Sequence, residues 1–146
     1  MTARTINLGF IHVSNGRAGT LSRSWNRVYA DFQLVRGNLA LRFMPWVRIE
    51  EDEEDEEDDD NPDIEDYMGH YELGAYYNWN KQIFSAMVRN IEDSDGHYNA
   101  ELQWSFPVKN RLRVLVQVYN GYGESMIDYN HKITRVGIGV LLTDWL

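Results

Sequence analysis

The chain has 146 residues, 43% hydrophobic and 13% aromatic, enough for one domain, and no apolar run approaches the roughly 18 to 20 residues that a membrane-crossing helix requires. Cysteine is absent, which excludes disulfides and thiolate metal sites. The net charge of −9 is concentrated in the acidic run Glu50 to Asp60; the remainder is slightly basic without a basic stripe, so no nucleic-acid partner is expected.

The first element is strand-like. In Thr5 to Ser14 a two-residue period sends Ile6, Leu8, Phe10, His12 and Ser14 to one face. The second puts Asn26, Val28, Ala30, Phe32 and Leu34 against Arg27, Tyr29, Asp31 and Gln33; the third sets Leu39, Leu41, Phe43 and Val47 against Arg42 and Arg48. Tyr71, Leu73, Ala75, Tyr77 and Trp79 then oppose His70, Glu72 and Asn78. A fifth strand at 82–90 mixes its faces around Phe84, Ala86 and Val88. Tyr98, Ala100, Leu102, Trp104 and Phe106 oppose Asn99, Glu101, Gln103 and Ser105, and Leu112, Val114, Val116 and Val118 oppose Arg113 and Gln117. The last strand carries Val136, Ile138, Val140 and Leu142.

The connections sort by parity. Segments 15–23, 49–64 and 120–131 are long and 91–96 is intermediate, whereas 36–38, 80–81 and 107–110 are short. Outer-membrane barrels have this asymmetry, with short periplasmic turns and long extracellular loops, and their alternating strands hide the membrane signal from any averaged hydropathy. A soluble sandwich or lipocalin-like barrel also alternates, but its connections need not sort this way. The expected fold is therefore an all-β, antiparallel transmembrane barrel: one domain over 1–146 with an acidic extracellular loop at 49–64. The charged residues Arg27, Arg42, Arg113, Arg135, Glu72, Glu101 and Asp31 would cross its lumen with ion pairs and hydrogen bonds, which disfavours a passive pore. Tyr77, Trp79, Trp104 and Trp145 would form interfacial girdles.

One face turns abruptly from apolar to chemical. If the loop 15–23 turns symmetrically about Gly19, strand partners have numbers summing to 38, which sets Asn26 opposite His12 and Ser24 opposite Ser14. Ser14, His12 and Asn26 then share one face, and the Asn carboxamide can fix the imidazole tautomer, as the third member of a triad does. Such residues beside a loop are common. Their place on the lipid side of the strands is not, because polar groups there are costly and usually functional.

Gly9-Phe10-Ile11-His12-Val13-Ser14-Asn15-Gly16-Arg17, followed by Ser22-Arg23-Ser24-Trp25-Asn26-Arg27, resembles the active-site segment of the bacterial outer-membrane phospholipase A family. The resemblance extends through Met44-Pro45-Trp46, Asp60-Asn61-Pro62-Asp63-Ile64, Tyr67-Met68-Gly69 and Tyr122 to Asn130, covering nearly the whole chain. It implies a twelve-stranded barrel, of which eight strands are present here, active as a calcium-dependent homodimer in the outer membrane. The implied reaction is hydrolysis of phospholipids and lysophospholipids at either glycerol ester. Ser14 would be the nucleophile, His12 the base and Asn26 the orienter. The Arg17 carbonyl, the Ser22 hydroxyl and Asp60 would hold calcium, and the Gly16 amide would help form the oxyanion hole. Val13 and Gly19 depart from the family, whose members often carry Asp there.

Met1-Thr2-Ala3-Arg4 leads straight into strand, so no secretory signal is expected in this chain. The competing expectation is a catalytically inactive, truncated barrel fragment that keeps the catalytic residues without assembling them. The acidic run reads as a solvated loop, or as a region concentrating calcium near Asp60 or engaging the divalent cations that bridge surface lipopolysaccharide. His70, His97 and His131 lack the paired spacing of a zinc site and read as lumen or loop residues.

Overall fold

The computed structural model describes residues 2–17, 21–49, 61–91, 95–109 and 111–142. The β-branched and aromatic residues set out above form eight strands: β1 (Thr2–Ser14), β2 (Ser24–Arg36), β3 (Leu39–Ile49), β4 (Tyr71–Trp79), β5 (Gln82–Arg89), β6 (Asn99–Lys109), β7 (Leu112–Gly121) and β8 (Ile133–Leu142). They make one antiparallel meander in sequence order. Among the described residues β1 pairs only with β2 and β8 only with β7, so the sheet is open along those two edges. A single helical turn, α1 (Ile64–Met68), lies between β3 and β4.

Parity decides what each face carries. On the outer face Ile6, Phe32, Phe43, Leu73 and Val88 occupy one continuous rung from β1 to β5. Leu8 is 80% exposed and Ile138 81%, as lipid-facing side chains must be once lipid is stripped away. β5, whose faces were mixed by pattern, joins this order: Phe84, Ala86 and Val88 pair with Trp104, Leu102 and Ala100. Near the short-turn end Tyr77, Phe84 and Trp104 share a rung, the last two rings stacked at 6.2 Å, as an aromatic girdle would be. Trp145 lies outside the described residues.

The inner face is polar and paired. Arg42 reaches Asp31 through Nε at 2.9 Å and Glu72 through Nη1 at 2.7 Å, while Arg89 closes on the other Glu72 oxygen at 2.7 Å. Asp31 and Glu72 are buried, and burying such carboxylates is tolerable only with partners of this kind. Arg113 instead donates to Ser105 and to the Lys81 carbonyl, and Arg135 pairs with Glu124 in the β7–β8 loop. Arg27 is the exception. Its guanidinium lies 4.3 Å from the Trp25 ring and 4.7 Å from the Trp46 ring, so aromatic faces flank it on this side of the sheet.

The apolar core lies at the long-loop end of the inner face. Trp25, Met44 and Trp46 from the strands pack with Ile64 and Met68 of α1 and with Tyr129 from the β7–β8 loop. Trp46 suspends the returning chain: its backbone N–H donates to the His70 carbonyl at 2.8 Å and its indole N–H to the Gly69 carbonyl at 2.9 Å. Gly69 has φ +62 and sits so close to Asn90 that a Cβ would collide with it, so only glycine serves there. Asn90 in turn donates to the carbonyls of Asp66 and His97, and Asn99 to that of Tyr67. The His97 ring meets Tyr67 at a tilt and Tyr122 edge to face, with centroids at 4.4 and 5.1 Å. These groups plug the inner face at its long-loop end.

Candidate active site

Antiparallel pairs alternate between hydrogen-bonded and non-hydrogen-bonded, with side chains closer in the second kind. Asn15 N–H donates to the Arg23 carbonyl at 3.0 Å, making 15 and 23 a bonded pair. Alternation then leaves Ser14–Ser24 and His12–Asn26 as non-bonded pairs, and the register is the one in which partner numbers sum to 38. Across the second pair His12 Nδ1 lies 2.7 Å from Asn26 Oδ1. An amide oxygen only accepts, so Nδ1 carries the proton and the neutral ring keeps its lone pair on Nε2. Ser14, the last residue of β1, follows His12 on the same face about 7 Å further along the strand. His12 and Ser14 are exposed on the outer face and Asn26 is half-buried.

The loop that follows is organised by one side chain. Asn15 Oδ1 accepts from Arg17 N–H at 3.1 Å and from Arg23 N–H at 3.2 Å, while its Nδ2 donates to the Leu21 carbonyl at 2.7 Å. Gly16 has φ +65, the left-handed region that favours glycine, and lies between the two ends of this Asx turn. Arg17 closes this Asx turn and Ser22 follows Leu21, Arg17 exposed and Ser22 half-buried. Their oxygen donors, a carbonyl and a hydroxyl, suit a hard divalent cation. Among the described residues no group of three or more His, Asp or Glu could hold a metal, so a cation here would depend on such neutral oxygens and on carboxylates from elsewhere. Asp60, the rest of the acidic run and Gly19 lie outside the described residues.

On the other side of β2 a second asparagine intervenes. β3 ends at Ile49, opposite Asn26, so the Ser24 N–H lies beyond its last rung. Asn61 Oδ1 accepts that N–H at 3.2 Å. Asn61 is completely buried and belongs to the segment that leads into α1, so the plug and the start of β2 are joined at the residue facing Ser14. Asn15 and Asn61 were not singled out by the sequence pattern. Asn15-Gly16 directly after a strand was the available signal, since Asn followed by Gly is turn chemistry.

The plug's phenols are held neutral. Burial, and then the neighbouring Asp63, push the Tyr129 hydroxyl well above the usual phenol range, and that hydroxyl donates to Asp63 Oδ1. Tyr67 is raised in the same direction, again first by burial. Neither is placed to exchange protons with His12 on the opposite face; their role is packing.

Comparison with known proteins decides the family. The family model described as Phospholipase A1 matches residues 1–142. The chain belongs to the phospholipase A1 family. The phospholipase A1 of Klebsiella pneumoniae is 43% identical over 143 residues, 98% of this chain and 48% of its own length; that of Escherichia coli K12 is 42% identical, over 98% and 47%. The chain thus spans about half the length of the curated phospholipases it matches. Among solved structures, outer membrane phospholipase A from Escherichia coli superposes with TM-score 0.84 at 41% identity, over 95% of this chain and 51% of its own. The Salmonella typhi outer membrane phospholipase, solved as a dimer with bound calcium, gives 0.83 at 42% identity, over 97% and 54%. An active-site mutant of the Escherichia coli protein with an asparagine replaced by alanine gives 0.83 at 40% identity, over 97% and 53%. The open sheet accordingly matches about half of the fold of these outer-membrane phospholipases.

Proposed function

We propose that this chain carries the catalytic residues of a calcium-dependent phospholipase that hydrolyses acyl esters of phospholipids and lysophospholipids in the outer membrane. The observation that carries the reading is the His12–Asn26 hydrogen bond on the outer face, with Ser14 on that face at the end of β1. Ser14 Oγ attacks the acyl carbonyl as His12 Nε2 takes its proton, and Asn26 keeps the other ring nitrogen protonated and the ring in place. The Gly16 amide donates to the oxyanion. Collapse of the tetrahedral species breaks the ester bond, and the proton held by His12 passes to the departing glycerol oxygen. Water then cleaves the acyl-serine with His12 again as base, releasing the fatty acid and restoring Ser14.

The Arg17 carbonyl, the Ser22 hydroxyl and Asp60 would hold the calcium ion, whose charge favours the developing oxyanion. Two of these donors stand at or next to groups that Asn15 binds, the Arg17 N–H and the Leu21 carbonyl, which supports the fit. The solved relative with bound calcium is a dimer; we propose the same homodimeric, outer-membrane setting here. At the long-loop ends of the strands these polar groups would meet the ester region of the bilayer, where their desolvation cost is small.

The test is fatty-acid release from phospholipid in detergent micelles, with calcium or chelator, for the refolded chain and for Ser14→Ala. Calcium-dependent release that vanishes in Ser14→Ala is expected. No release from a demonstrably folded chain would overturn the reading and leave the inactive barrel fragment in its place.

A further inference from the structure

We infer that Asn15 is a positioning residue that presets the Gly16 amide for the oxyanion; the inference rests on the function proposed above and names a further residue that serves it. In a hydrogen-bonded rung of a regular antiparallel ladder the two residues exchange both backbone bonds. In the Asn15–Arg23 rung the first bond is present, Asn15 N–H to the Arg23 carbonyl at 3.0 Å. The return donor, Arg23 N–H, goes to the Asn15 side-chain Oδ1 at 3.2 Å. The side chain thus stands in for a ladder carbonyl at the rung where β1 and β2 part. The peptide unit that joins Asn15 to Gly16, and that contains the Gly16 N–H, is thereby released from the strand geometry that would otherwise dictate its orientation.

The same oxygen then fixes that unit from its far side. Arg17 N–H donates to Asn15 Oδ1 at 3.1 Å, closing an Asx turn around Gly16, whose φ of +65 is one that glycine adopts freely. The third bond, Asn15 Nδ2 to the Leu21 carbonyl at 2.7 Å, ties the returning limb of the loop next to Ser22. One amide therefore sets both the donor beside the nucleophile and the spacing between Arg17 and Ser22. An oxyanion donor works only when aimed before the reaction begins, and losing one costs about 10²- to 10³-fold in turnover. Asn15 itself touches no reacting atom.

Asn15→Ala removes all three bonds, and Asn15→Asp keeps the accepting oxygens while losing the Leu21 bond. Three measurements are made on the refolded chain and both variants: phospholipid turnover per folded molecule, inhibition by a long-chain alkyl boronic acid that forms a tetrahedral adduct on serine, and amide hydrogen exchange in micelles. Asn15→Ala is expected to lower kcat about 100-fold with KM within about twofold, to weaken boronate inhibition by a similar factor, and to accelerate exchange at Arg17 and Arg23 by at least about tenfold. Asn15→Asp should recover most of the kcat and the exchange protection. Unchanged kcat and boronate inhibition in Asn15→Ala, while Ser14→Ala is dead, would overturn the role of Asn15 and leave the proposed function standing. Unchanged exchange at Arg17 and Arg23 would overturn it even for a chain without turnover. Loss of protection in Asn15→Ala in a chain whose wild type releases no fatty acid would retain the loop geometry but sink the oxyanion role together with the proposed function.

Discussion

The two faces of the sheet treat polar side chains in opposite ways. On the inner face Asp31, Arg42, Glu72 and Arg89 form a continuous chain of ion pairs, and Arg27 is flanked by two tryptophan rings. On the outer face His12 and Asn26 are joined by a hydrogen bond and stand with Ser14 among exposed apolar residues. The inner carboxylates and the arginines they pair with satisfy one another, which is what a buried charge requires and what makes it structural. The outer groups have no packing reason to be polar, so their chemistry is the reason.

That contrast predicts that deleting a polar group on the inner face costs stability, and that deleting one on the outer face costs turnover. The largest expected effect is at Glu72, which bridges two arginines. Glu72→Ala should destabilise by about 3 to 5 kcal/mol by leaving both cations without their shared partner, read by urea unfolding in micelles. Turnover per folded molecule should stay within about twofold. Next comes Asn26→Ala, expected to lower kcat roughly 10- to 100-fold, less than the loss of a charged orienter, with unfolding shifted by under about 0.5 kcal/mol. If Asn26→Ala instead unfolds the protein at full specific activity, the division between the faces fails.

Smaller effects sharpen the same division. Trp46→Phe removes the indole bond to Gly69 that hangs α1 on the sheet, and should cost about 1 kcal/mol of stability, measured in the same unfolding experiment. Tyr129 supplies a pH signature. Its hydroxyl is raised above the ordinary phenol value in the fold, so below about pH 10 both states keep the proton and the slope is zero. Above it the unfolded state loses its proton first, and stability falls as pH rises. Tyr129→Phe should flatten that fall between about pH 10 and 11.5 relative to the wild type, with no change in the pH profile of turnover.

Strand parity was legible because one buried or lipid-covered face forces a two-residue period, and it placed even β5 once its neighbours fixed the register. The pairing of His12 with Asn26 followed from symmetry of a single loop. The plug was not legible. α1 has five residues, too short to show a helical period, and its partners Trp25, Met44, Trp46 and Tyr129 come from three distant segments. Parity set Arg27 inward on the same face as Trp25, two residues away, but did not show that Trp46 of β3 would also lie beside its guanidinium. The roles of Asn15 and Asn61 were hidden for a related reason: each acts through side-chain bonds to backbone groups, and no periodicity records such bonds.

The central claim is that the outer-face pair His12–Asn26 serves Ser14 as a nucleophile. The most direct measurement is labelling of the refolded chain in micelles by a long-chain alkyl fluorophosphonate, with the modified residue located by mass spectrometry. The account predicts covalent modification at Ser14 alone, abolished by His12→Ala and slowed by Asn26→Ala. Labelling of Ser22 or Ser24 in its place, or at Ser14 with a rate indifferent to His12, would contradict it.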